Sequence, residues 1–142
     1  MYLWDTHVVG HFANEHPVLA LNVQRVPWEE IVLPSPTVAE LLRGRTDFAV
    51  KAKPEQAVFA HQQLQETQRL IAQFDMLVFS DEDAEMFKKV LKKHKSKKRY
   101  VDLMIAAMAL AGKHIVGTRN VKHFNDVLPP HQIENWIDYP PQ

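Results

Sequence analysis

A chain of 142 residues without cysteine can form neither disulfides nor thiolate metal sites, and its 46% hydrophobic content excludes a disordered chain. No apolar stretch reaches the length that spans a bilayer, and the N-terminus lacks the basic region, apolar core and cleavage site of a signal peptide, so a cytoplasmic single domain is expected. Seventeen basic residues balance seventeen acidic ones, yet eight of the basic ones fall in the acid-free stretch KKVLKKHKSKKR, Lys88 to Arg99.

Taken in chain order, the pattern alternates strands with helices, as in an α/β domain with a mainly parallel sheet. Tyr2, Leu3 and Trp4 read as a short strand buried on both faces. A short helix is expected from Val8 to Asn14, and Pro17 fits the first turn of another that reaches about Gln24. Ile31 to Leu33 form the second strand. Ser35 is then expected to cap the helix carrying TVAELLRG, with Gly44 as its stop.

Pro54 opens a long helix whose apolar stripe is Val58, Leu64, Leu70, Ile71 and Phe74. Met76 to Phe79 read as the third strand. Ser80 with Asp83 makes a capping-box signature for the helix that enters the lysine run. A further helix spans about Tyr100 to Ala111 and ends at Gly112. HIVGT is the fourth strand, and a last one is expected near Ile133 to Trp136. The expected fold class is α/β, a Rossmann-like three-layer domain.

Three acids stand out by their surroundings. Asp5 directly follows the first strand, and in open α/β sheets the carboxyl edge is where ligands bind. Its ordinary reading is a helix N-cap. Glu40 has Val38, Ala39, Leu41 and Leu42 for neighbours, where a charge is costly unless paired or metal-bound; pairing with Arg43 or Arg45 is the ordinary alternative. Asp102 lies near the start of the most apolar helix, with Arg99 as its ordinary partner.

Clustered carboxylates raise one another's pKa unless a cation stabilises them. Hard oxygen ligands suit magnesium or manganese, and that chemistry suits phosphodiester hydrolysis. The basic run reads either as the solvated end of a helix or as an RNA guide through Lys92, Lys93, Lys97, Lys98 and Arg99.

Other classes fit less well. His7, His11 and His16 invite zinc, but the glutamate that zinc proteases place after the first histidine is Val8 here. A receiver domain using Asp81 would want a pair of acids after the first strand, where Asp5 stands alone. A haloacid-dehalogenase-type phosphatase needs an aspartate where His7 stands. Four unclustered glycines leave no phosphate-cradling loop.

The stretches YLWDT, TVAELLRG, RYVDLMIAAMAL, IVGTRNVKHF and IENW follow one family's order and spacing along nearly the whole chain. In them the chain resembles a PIN-domain ribonuclease, specifically a VapC-like toxin of a bacterial type II toxin–antitoxin system. The resemblance implies a three-layer α/β/α PIN-like domain over residues 1–142 and a metal-dependent endoribonuclease using Mg2+ or Mn2+. It carries over Asp5, Glu40 and Asp102 as catalytic and metal-binding acids, with Thr6 and Thr118 as supporting hydroxyls. It further implies a VapB-like antitoxin as inhibitor and a toxin homodimer.

The chain departs from the family pattern twice. His7 stands where Asn or Ser is usual, and Asn120 occupies the neighbourhood of a fourth acid that many members carry. Asn120 is therefore a candidate ligand, with Asp126 and Asp138 the nearest acids in sequence. The rival function is a non-catalytic RNA-binding member of the same fold.

Overall fold

The computed structural model describes residues 1–94 and 99–142. Five strands, β1 (Tyr2–Trp4), β2 (Ile31–Pro34), β3 (Asp75–Leu77), β4 (Ile115–Gly117) and β5 (Ile133–Glu134), form one sheet in the order β3-β2-β1-β4-β5. Every pairing is parallel; in the centre, Leu3 lies opposite both Val32 and Val116. Among the described residues, six α-helices connect them: α1 (Thr6–Ala13), α2 (Pro17–Gln24), α3 (Ser35–Lys51), α4 (Pro54–Ile71), α5 (Asp81–Lys93) and α6 (Tyr100–Gly112).

The period-two alternation of strand side chains splits the core into two layers. Leu3 and Val32 point to one face and pack with Ile105, Ala106, Met108 and Ala109 of α6. Trp4, Ile31 and Leu33 point to the other and pack with Val8 and Val9 of α1 and Leu19 of α2. Helix α5 reaches the core through α6, where Phe87 and Val90 meet Leu103 and Ala107. The expected three-layer α/β/α architecture with a parallel sheet is what forms.

Trp4 fixes how closely the central strands approach. Its ring packs against Phe12, Phe74 and Trp136 at centroid distances of 5.6, 5.4 and 6.1 Å. A Cβ on Gly117 would come within 2.8 Å of Trp4 Cδ1, so β4 needs glycine there.

Several boundaries differ from expectation for local reasons. Helix α1 begins two residues early, at Thr6, because Asp5 caps it. Gly44 does not stop α3, which continues to Lys51. An interior glycine costs only about 1 kcal/mol, and the added turns bury Ala49 and bring Phe48 against Phe59 of α4. Ser35 is the first helical residue rather than the cap; its hydroxyl instead accepts the Phe79 N–H at 3.0 Å, drawing α3 to the segment after β3. That segment leaves the sheet after Leu77, so β3 is shorter than MLVF and begins at Asp75.

Gly112 belongs to α6, and Lys113 takes the left-handed cap at φ 55°. Strand β5 ends at Glu134, whose carboxylate accepts the Trp136 indole N–H at 2.8 Å. The Ser80–Asp83 capping box of α5 forms in both directions, at 3.2 and 2.9 Å. In α4, Leu70 and Ile71 join the core while Val58 is exposed, so the stripe covers only the helix's C-terminal half. Among the described residues, no helix is long and apolar enough to cross a membrane.

Candidate active site

The chain runs outward from β1 through β2 to β3, then returns to place β4 on the other side of β1. That reversal opens a crevice at the carboxyl ends of β1 and β4, the position where parallel sheets bind ligands. Asp5 leaves β1 into it and Thr118 leaves β4 into it. The Asp5 amide donates to the Gly117 carbonyl at 3.2 Å, holding the two strand ends together.

Asp5 is 4% exposed, and both its carboxylate oxygens accept hydrogen bonds. Oδ1 takes the Val8 amide at 3.0 Å, and Oδ2 takes the Thr118 hydroxyl at 2.6 Å. The capping role and a place in the crevice are thus compatible, since each oxygen keeps a further lone pair. Thr118 is fully buried and also accepts the Asn120 amide at 2.9 Å, so one hydroxyl fixes both the acid and the following turn. Burial pushes the Asp5 carboxyl above its usual range and the Asp102 charge adds to it, while Thr118, Val8 and His7 pull it back.

Glu40 projects from α3 and accepts the hydroxyl of Thr6, the first residue of α1. It pairs with neither Arg43 nor Arg45; Arg45 turns instead to the Thr67 hydroxyl at 3.3 Å. Asp102, on the first turn of α6, accepts His123 Nδ1–H at 3.0 Å. Burial pushes its carboxyl up, His123 pulls it down, and the Glu40 charge raises it again. Asp5 therefore feels Asp102, and Asp102 feels Glu40, in a chain of mutually repelling carboxylates at one edge of the sheet.

Arg99, the partner expected for Asp102, makes a two-point pair with Asp126 instead, at 3.1 Å on both arms. His94 adds a third contact to Asp126 at 3.4 Å. Arg99 first, and to a lesser degree His94, holds the Asp126 carboxyl below its usual range. Asp138 is likewise occupied, by Arg119 and Asn135. Neither acid faces the crevice as a free carboxylate. Asn120 begins the short turn Val121–His123 that delivers His123 to Asp102.

Lys92 and Lys93 are exposed at the end of α5, just ahead of the α6 terminus that carries Asp102. Lys97 and Lys98 lie outside the described residues. His11 and His16 stack edge to face at 5.3 Å, with His16 capping α2. Among the described residues, no three histidine, aspartate or glutamate side chains converge closely enough to form a metal site on their own. The donor set nevertheless suits a hard cation. Magnesium needs only one or two protein carboxylates because it keeps several waters, and charges that repel at this edge are what a cation would relieve.

One participant was not singled out in the sequence. His123 lies within IVGTRNVKHF, but it is 21 residues from Asp102 and no local periodicity links them.

The fold is a parallel α/β/α domain with Asp5 and Thr118 at its topological switch point. The chain belongs to the PIN-domain family, whose model matches residues 2–127. PIN domains are generally nucleases that use divalent metal ions. A search of curated proteins finds no match by sequence.

Solved structures share the fold. The VapBC-1 structure from nontypeable Haemophilus influenzae is 24% identical with a TM-score of 0.71, covering 95% of this chain and 97% of its own. A DNA-bound VapBC from Salmonella typhimurium is 19% identical with a TM-score of 0.73, over 95% and 97%. A toxin–antitoxin complex from Klebsiella pneumoniae is 18% identical with a TM-score of 0.69, over 99% of each chain.

Proposed function

We propose that this protein is a metal-dependent endoribonuclease and the toxin of a type II toxin–antitoxin pair. The observation that carries the reading is the chain of acids at the β1/β4 crevice, each held by its own donor and each raised or flanked by another's charge. Asp5 and Asp102 would hold a magnesium or manganese ion, with Glu40 direct or through water. Asn120 would add a neutral oxygen, so a second ion is held weakly.

When bound, the ion would lower the pKa of an attacking water and offset charge on the phosphodiester. The protein's own contribution is orientation. Thr118 and the Val8 amide fix the Asp5 carboxylate, Thr6 fixes Glu40, and the ionised acids can accept the proton released by water. Lys92 and Lys93, with Lys97 and Lys98 in the same run, would draw the RNA backbone toward the α6 end of the crevice.

A VapB-like antitoxin would act as the inhibitor. This part of the reading draws on the toxin–antitoxin assemblies that share the fold, and on a groove of about 990 Å³ between α2 and α4. Phe12, Leu19, Val23 and Leu70 give the groove an apolar floor, with Arg45 and Glu66 among its polar lining. A toxin homodimer belongs to the same proposal.

The test is cleavage of RNA by Asp5→Asn, Glu40→Gln and Asp102→Asn proteins in magnesium or manganese. Each should lose activity while keeping a cooperative melt. Full cleavage by Asp102→Asn would remove the proposal, and RNA binding without cleavage by the wild type would select the non-catalytic alternative.

A further inference from the structure

The three acids share an arrangement that is visible only in three dimensions. Each carboxylate accepts one dedicated side-chain donor from another element: Thr118 on Asp5, Thr6 on Glu40, and His123 on Asp102. The first and third donors lie on a single loop. It leaves β4 at Thr118, is pinned where Thr118 accepts the Asn120 amide at 2.9 Å, and turns through Val121–His123. The fully buried Phe124 anchors its far end. The His123 amide donates to the Asn120 carbonyl at 2.9 Å, which fixes the backbone that aims the imidazole.

We propose that His123 is a positioning residue for Asp102, engaging Oδ2 through Nδ1–H so that Oδ1 is left for a divalent cation. An ionised carboxylate only accepts, so the nitrogen facing it must carry the hydrogen. Without that donor, Asp102 has no side-chain hydrogen-bond partner among the described residues and can turn away from Glu40 and Asp5, whose charges repel it. Hydrogen bonds to ligating carboxylates set ligand orientation, and their loss weakens metal binding. His123 is 47% exposed against 24% for Asp102, so the imidazole end of the pair is solvated and the pair contributes modestly to folding. Orientation is the role left to it.

This inference rests on the proposed metal site, and the experiment separates the two. Manganese alone is titrated into the purified protein without RNA, followed by calorimetry and by loss of the free-ion paramagnetic signal. His123→Ala should weaken binding by roughly 10–100-fold with little change in the metal-free Tm. His123→Asn, whose amide nitrogen can stand near the Nδ1 position, should recover most of it. In RNA cleavage, His123→Ala should raise the manganese needed for half-maximal rate more than it lowers the rate at saturating manganese. Wild-type affinity in His123→Ala, with binding abolished in Asp102→Asn, overturns the positioning role alone. Equal binding by wild type and Asp102→Asn, or none by either, overturns the metal site and this inference with it.

Discussion

Thr118→Val replaces a fully buried hydroxyl with a methyl group of nearly the same volume, so it tests the hydrogen bonds and not the packing. Two bonds disappear: the 2.6 Å donation to Asp5 and the 2.9 Å acceptance from the Asn120 amide. A bond to a charged group contributes about 1.5–3 kcal/mol, and the stranded amide adds a smaller cost because it is only partly buried, for a total of about 2–4 kcal/mol. For a domain of this size that is a fall in Tm of roughly 6–12 °C.

The pH dependence distinguishes this mechanism from general damage. Burial raises the folded pKa of Asp5 above its ordinary value of 3.8, and the Thr118 bond lowers it. A carboxyl with a raised folded pKa contributes stability that is complete below its unfolded pKa and is lost as the pH rises through the folded value. Losing Thr118 raises the folded value further, so more stability is lost above it. The difference between variant and wild type should be greatest near neutral pH and should shrink on acidification toward 3.8. In an Asp5→Asn background, where no buried charge depends on the hydroxyl, the same substitution should cost markedly less. Thermal melts of the four proteins across pH give the answer. A defect that does not vary with pH, or is undiminished in the Asp5→Asn background, would refute the reasoning.

The basic run and the missing fourth acid give two further expectations. Lys92→Ala with Lys93→Ala should weaken RNA binding and flatten its salt dependence, because fewer counterions are released; an unchanged salt slope would return these residues to the solvated end of α5. Asn120→Asp should lower the magnesium needed for half-maximal cleavage, while Asp126→Asn should change it little, since Asp126 is already engaged by Arg99 and His94. Metal titrations that rank the two variants the other way would make Asp126 the fourth acid.

The layer order was legible because each strand carries its own burial signature. Ile31, Val32 and Leu33 are an unbroken apolar run, the mark of a strand covered on both faces, and in the fold Ile31 and Leu33 face one core and Val32 the other. What local pattern could not supply was where helices end. Gly44 reads as a stop because glycine is a poor helix former, yet the packing of Phe48 on Phe59 and the burial of Ala49 lie beyond it and outweigh that cost. Ser35 reads as a cap because its hydroxyl can bond its own backbone. A nearer claim on that hydroxyl came from Phe79, 44 residues away.

The same division runs through the candidate site. Asp5, Glu40 and Asp102 are conspicuous in sequence because a charge in an apolar stretch is costly, and that cost can be read without coordinates. Their partners are not conspicuous, because pairing is decided by the fold. Sequence proximity offers Arg99 to Asp102, three residues away, but the turn after β4 brings His123 to Asp102 and Asp126 to Arg99. The exchange has a chemical consequence. Arg99 on Asp102 would place a permanent, two-point cation on the carboxylate and compete with a metal ion for both oxygens. An imidazole engages one oxygen only and leaves the other open. By holding the Arg99 fork on Asp126, the fold lets Arg99 act on Asp102 only through its charge at a distance, and leaves a carboxylate oxygen that a divalent cation would take.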